Sequence, residues 1–203
     1  MRRALGRSQA SFGDAAETTK RAESALLSDA VKARVDALAS EIAKTDSYTT
    51  YLELGRLIKR DPNVARYAVK SVKLDDRSNR QTFAIFRSAI LTYKSIGVEI
   101  LRDYPKKAAA VQLHEEKGMR KSIADMILTA DNTDAVEYMI RNPRVARIRN
   151  GDGDPVIGSI LTRYGKAYAD RFSQTPGIAG IMLNSGKTVM ETIANAYRIR
   201  KDE

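Results

Sequence analysis

Residues 80–119 read RQTFAIFRSAILTYKSIGVEILRDYPKKAAAVQLHEEKGM, and the spacing of their apolar side chains decides the fold class. Phe83, Phe86, Ile90, Tyr93, Gly97 and Ile100 recur at steps of three and four, which places them on one face of an α-helix. Asp103-Tyr104-Pro105 then makes a turn, and Ala108, Val111 and Gln112 predict a second, shorter helix that stops at Gly118. A helix pair of this size cannot bury its apolar faces alone, so it requires neighbours of the same kind.

The rest of the chain supplies them. Upstream, Asp14 and Glu17 have capping-box spacing, and a long first helix is expected from there to Lys44, with Leu27, Val31, Val35, Leu38 and Ile42 as its stripe. A second helix runs from Tyr48 to Arg60, with Tyr48, Tyr51, Leu52 and Ile58 at helical spacing, and a third opens at Pro62 with Val64, Tyr67, Ala68 and Val72 inward. The polar stretch Leu74–Asn79 reads as a joint between repeats, being too short for a domain boundary. Downstream, helices are expected over Met119–Ala130, Thr133–Arg141, Pro155–Phe172, Pro176–Leu183 and from Lys187 to about Arg200, with the strongest breaker at Asn150–Asp154.

The prolines add a pattern. Pro62, Pro143, Pro155 and Pro176 follow Asp61, Asn142, Asp154 and Thr175, which predicts a capping side chain followed by proline at the first helical position, where its missing N–H costs nothing. Three of these junctions share a longer likeness, DPNVARYAV, NPRVARIRN and TPGIAGIML. The expected fold is all-α: an α-solenoid of degenerate helix-turn-helix repeats with a long N-terminal helix. Residues 1–13 form a basic leader and residues 14–203 one continuous helical-repeat domain.

Composition narrows the function. The chain has no cysteine, which excludes disulfides, zinc fingers and thiol catalysis. No apolar run approaches the roughly 18 to 20 residues of a membrane span. The net charge of +10 favours an acidic partner: nucleic acid, an anionic membrane face or an acidic protein surface. The leader MRRALGRSQASFG carries three arginines and no acid, the composition of a short mitochondrial transit peptide or of an ordinary basic tail.

No enzyme is expected, and no cofactor or metal. Gly186-Lys187-Thr188 has the tail of a P-loop, but the required first glycine position holds Ile181. Asp152 and Asp154 hint at calcium, yet the twelfth position of an EF-hand loop would be Arg163. His114 is the only histidine, so the paired-histidine zinc helix fails, and Asp75-Asp76 reads as a cap beside Arg77. The candidate functional residues are Arg141, Arg144, Arg147 and Arg149. Facing a phosphate backbone or an acidic groove, each makes charge-assisted contacts; in water the cluster adds almost nothing to stability. Tyr138, Tyr164 and Tyr168 fall on apolar stripes, so core packing is expected for them and not base stacking.

From Pro105 the text AAAVQLHEEKGMRKSIADMIL resembles the second helix of a pentatricopeptide repeat and the start of the next, with Ala109, Val111, Leu113, Glu115, Glu116, Lys117, Gly118 and Met119 following the pattern. Thr133–Met139 (TDAVEYM) resembles the same helix one repeat later. The regular 35-residue repeat length is absent, and Lys121 stands where proline is common. In size, charge and composition the chain also resembles the pentatricopeptide-like subunits bound to the F1 head of euglenozoan mitochondrial ATP synthases. That resemblance implies a non-catalytic accessory subunit of the mitochondrial matrix, docking on the F1 α subunit. The alternative it leaves open is an organellar RNA-binding or mitoribosomal protein.

Overall fold

Two parallel helices set the frame. The backbone N–H of Gln81 donates to Asp46 Oδ1 at 3.0 Å, and the Tyr93 hydroxyl donates to the Lys59 carbonyl at 3.1 Å. These contacts pin the starts and the ends of two neighbouring helices, Tyr48–Arg60 (α2) and Arg80–Thr92 (α4). The computed structural model describes residues 27–74, 80–113 and 120–198. It is mostly helical. The chain order is α1 (Asp29–Thr45), α2, α3 (Pro62–Ser71), α4, α5 (Lys94–Asp103), α6 (Pro105–Ala108), β1 (Val111–Leu113), β2 (Arg120–Ser122), α7 (Ile123–Thr129), α8 (Thr133–Arg141), α9 (Pro143–Ala146), α10 (Val156–Gln174), α11 (Pro176–Ala179) and α12 (Val189–Arg198).

The helix starts follow from capping chemistry. Ser28, Ser47, Ser122 and Asn132 each accept a backbone N–H of the first turn through the side chain, satisfying a donor that has no intrahelical partner. Ser28 therefore begins the first described helix, which is shorter than the one expected from Asp14; the Asp14/Glu17 capping box, the basic leader and His114 lie outside the described residues. Thr188 and Glu191 form a reciprocal capping box at α12: Thr188 N–H donates to Glu191 Oε2 at 2.7 Å and Glu191 N–H donates to Thr188 Oγ1 at 3.2 Å.

Several elements recur at similar intervals. α2 and α4 begin 32 positions apart, as do α3 and α5. From α7 onward the interval is 33, taking Ile123 to Val156 to Val189 at successive helix starts and Pro143 to Pro176 at successive short helices. Between them the chain makes small hairpins. β1 pairs antiparallel with β2 through Val111 opposite Ser122, Gln112 opposite Lys121 and Leu113 opposite Arg120. Single bridges join Arg149 to Pro155 and, 33 positions on, Met182 to Thr188. The same three backbone bonds close both later hairpins: Val156 N–H to Ile148 O and Val189 N–H to Ile181 O, with the matching pairs Asn150/Asp154 and Leu183/Lys187 and the glycines Gly153 and Gly186 bonding to Asn150 and Leu183. Gly153 (φ 80°) and Gly186 (φ 76°) hold the left-handed position of those turns.

Each unit packs chiefly on the next. α2 contacts α4, α4 contacts α7, α7 contacts α10 and α10 contacts α12, while α3, α5 and α8 form a second row. Side chains bridge the turns between rows. Lys94 Nζ donates to the Asp131 carbonyl at 2.9 Å, Asn132 Nδ2 donates to the Lys94 carbonyl at 2.8 Å, and Arg163 Nη2 reaches Asp131 Oδ1 at 2.6 Å. Arg66–Glu99 and Arg171–Glu137 add ion pairs about one unit apart in sequence. The core threads the whole length, from Val35, Leu38 and Ile42 through Phe83, Phe86, Ile100 and Ile127 to Phe172 and Val189.

Four expectations need correction. The stripe from Phe83 to Ile100 belongs to two helices, because Tyr93 (φ −131°, ψ 96°) is extended and separates α4 from α5. The helix expected to run to Gly118 is instead the four-residue α6 followed by β1, and Arg120–Ser122 is strand before α7 begins. Ile181–Leu183 leaves the helix at Ala179 and enters the last hairpin. The proline junctions are of different kinds. Pro62, Pro143 and Pro176 do stand at the first helical turn, as does Pro105, but only Asp61 caps through its side chain. Asn142 and Thr175 turn back to the carbonyls of Tyr138 and Arg171, and Pro155 itself takes the N-cap position of α10 in extended conformation. Pro62 also opens a ten-residue helix, whereas Pro143 and Pro176 open four-residue ones.

Lys107 fastens α6 to the end of α3. Its Nζ donates to the carbonyls of Val69, Lys70 and Val72 at 2.6, 2.7 and 2.7 Å, and it lies 5.3 Å from the Tyr104 ring centroid and 5.9 Å from that of Phe86. Burial pushes its ammonium down to about 8, while the three carbonyls hold the charged form, since a neutral amine has only two N–H donors for three acceptors. Lys107→Met removes all three bonds and keeps the bulk; hydrogen bonds to charged groups contribute about 1.5–3 kcal/mol each and are not additive here. We expect a loss of about 2 kcal/mol in urea unfolding, and no change would show that the α3 end needs no cap.

Candidate interaction surface

The four arginines singled out by sequence lie on and around α9, and all four are exposed. The short helix places Arg144 at its second residue and Arg147 at its C-cap. Two of the four are held by backbone. Arg147 Nη2 donates to the Gly177 carbonyl at 3.1 Å, linking α9 to the equivalent turn one unit on, and Arg149 donates to the Gly153 carbonyl across its own hairpin. Gly177 is required at that contact, since a Cβ there would lie 2.8 Å from Pro143 Cβ and Cγ. Arg141 ends α8 one turn from Glu137, whose carboxyl is held below its usual value first by the Arg171 hydrogen bond and further by Arg141. Arg144 is exposed and makes no ion pair among the described residues.

Sequence reasoning missed Lys106. It occupies the second residue of α6, the position Arg144 occupies in α9, 38 residues on, and it is exposed. The repeated X-Pro-cation signal at Tyr104-Pro105-Lys106 and Asn142-Pro143-Arg144 was available in the sequence. Lys70 lies at the end of α3, beside the Lys107 anchor. α5 and α8 also pack together, with Asn132 at the start of α8 bonded to the Lys94 carbonyl at the start of α5. Lys70, Lys106, Arg141 and Arg144 thus mark three successive helix ends along one edge.

The apolar surface lies elsewhere. Tyr48 (60% exposed) and Leu52 (39%) point outward from α2, against the expectation that both join its buried stripe; that stripe is Leu54, Gly55 and Ile58, with Tyr51 half-buried. Leu91, Met182 and Met190 are also more than half exposed. Along α10, Tyr164 meets Tyr168 edge-to-face and Tyr168 stacks on Phe172, with ring centroids 6.0 and 5.8 Å apart, and both tyrosines pack on the core as expected.

The positions tested for chemistry have local structural work. Asp154 Oδ1 accepts the Asn184 N–H at 2.9 Å and the Asp152 carbonyl accepts Asn184 Nδ2 at 3.0 Å, so the loop that hinted at calcium stacks on the next hairpin. Gly186 and Thr188 form the last hairpin and the α12 cap. Among the described residues, no group of three or more His, Cys, Asp or Glu side chains gathers as a metal site requires. No described helix is long and apolar enough to cross a membrane.

Asp125 is the one buried acid in this region. It is 2% exposed at the start of α7, and its Oδ1 has no hydrogen-bond partner. Burial raises its carboxyl above the ordinary value of 3.8, with the Ser159 hydrogen bond and Lys121 opposing and Asp152 adding. The folded chain therefore holds this proton more tightly than the unfolded chain, so Asp125 costs stability as pH rises through 3.8 toward the raised value. Asp125→Asn removes that titration. The melting-temperature difference between the variant and the native chain should shift in the variant's favour as pH rises through this window; a difference that is flat with pH contradicts it.

Compared with family models, with curated proteins and with solved structures, the chain matches none.

Proposed function

We propose that the chain is a non-catalytic α-solenoid scaffold that docks on the subunits of a larger assembly. The observation that carries this reading is the bridge centred on Asp131, which joins Lys94 of the preceding unit to Arg163 of the following one. Arrays whose units contact only their neighbours form long, continuous surfaces instead of a closed pocket, and such surfaces suit macromolecular partners. The hairpins that precede Ile123, Val156 and Val189 at 33-residue intervals match the unit length of ankyrin-type arrays, and within the solenoid reading we favour that geometry for this part of the chain over hairpin-free pentatricopeptide units.

The resemblance in type gives this reading a specific form: an accessory subunit on the F1 head of a mitochondrial ATP synthase. The experiment is native fractionation of cells that express the full chain, followed by mass spectrometry with and without RNase. Co-migration with F1 subunits that ignores RNase supports that form, and co-migration with another protein assembly supports the scaffold alone. A chain that migrates as a free monomer overturns the docking reading.

A further inference from the structure

We propose that the edge marked by Lys70, Lys106, Arg141 and Arg144 binds the phosphodiester backbone of a nucleic acid. The inference goes beyond the docking reading and stands without it. All four side chains are exposed, and none holds an ion pair within the described residues. Two structural contacts bring the helices carrying these cations side by side: Lys107 seats α6 on the end of α3, and α5 packs on α8 with their starts joined by the Asn132 to Lys94 bond.

Lys70 and Arg141 lie in the last turns of α3 and α8, where the helix dipole favours positive charge, and Lys106 and Arg144 lie on the single turns α6 and α9 that follow α5 and α8. Neighbouring cations are already engaged: Arg102 bonds Asp103 at 2.8 Å, Arg147 bonds Gly177, and Lys107 is held by three carbonyls. What remains is a line of charge with one free cation at the short helix of each of two successive units.

A protein interface is built on a desolvated apolar centre, and among the described residues the exposed large apolar side chains, Tyr48, Leu52, Leu91, Met182 and Met190, lie on other elements. A row of cations alone fits a phosphate backbone, read without sequence preference.

The test uses the full chain and a labelled oligouridylate of about 20 nucleotides, with a duplex of equal length alongside, followed by fluorescence anisotropy. Four phosphate contacts predict a slope of log K against log salt near −2.8 for the single strand, roughly a 50-fold loss between about 50 and 200 mM salt. The double variant Lys106→Glu/Arg144→Glu should bring the slope to about −1.4 or less. Arg56→Glu/Arg87→Glu, which makes the same change in net charge at exposed positions on α2 and α4, should leave it unchanged. Circular dichroism melts establish that both variants fold. Binding of strand and duplex together assigns the backbone itself, and preference for one tells which form the edge follows. Equal losses in the two variants, equal competition by polyglutamate of matching charge, or no binding at low salt would each overturn the proposal.

Discussion

Phe86→Ala is expected to lower the unfolding free energy by about 3–5 kcal/mol, the range found when a fully buried phenylalanine leaves a cavity. Phe86 has no exposed surface and lies near the middle of α4, the helix that packs on α1, α2, α3, α5 and α7. Its ring also faces the Lys107 ammonium. One truncation therefore removes contacts on the first two units at once and leaves the Lys107 anchor over a void. Urea titration followed by circular dichroism measures the loss, and a cost below about 1 kcal/mol would mean that α4 is not the centre of the packing.

Gly97→Val is the second large effect, and it acts by overfilling. A Cβ at Gly97 would lie 2.8 Å from Ile127 Cγ2 and 3.0 Å from Asn132 Nδ2. Ile127 is fully buried, and Asn132, only 1% exposed, holds Lys94 O with its amide and the Ala135 N–H with its oxygen. Valine must therefore push apart α5 and α7 and also break the side-chain bridge between the two turns. Overpacking costs about 1–3 kcal/mol, and an unsatisfied buried polar group adds about 1–3, so a total near 3 kcal/mol is expected. A double variant with Ile127→Ala should recover the steric part; if it recovers nothing, the close approach at Gly97 is not what limits the fit.

Much of the helical pattern was legible because its signals are local. Capping residues such as Ser47 and Asn132, and proline in first turns, fix helix starts without reference to the rest of the chain. The break at Tyr93 was not legible. Phe83, Phe86 and Ile90 on α4 and Gly97 and Ile100 on α5 keep a three-and-four spacing across a joint of one residue, so the stripe reads as continuous. The hairpins were hidden for a different reason. Strands of three residues and single bridges carry too few positions to show alternation, and Ile181–Leu183 is apolar enough to pass for helix. The outward turn of Tyr48 and Leu52 shows the limit of counting spacing alone, since the 48/52 and 54/58 pairs have equal periodicity and only packing against α4 decides between them.

The surface was legible in part. Arg141 and Arg144 are exposed as a charged cluster should be, whereas Arg147 and Arg149 are tied to carbonyls 30 and 4 residues away, a role that no spacing rule assigns. Lys106 is the counterpart of Arg144 on the short helix α6, a relation that the shared X-Pro-cation tripeptides carry in the sequence.

Native-state hydrogen exchange on the full chain, native against Phe86→Ala, tests the stacking of units most directly. If each unit is coupled mainly to its neighbours, protection should fall most in α2, α4 and α7, less in α10 and least in α12. An equal loss of protection from α1 to α12 would contradict the array and require a single, globally cooperative core.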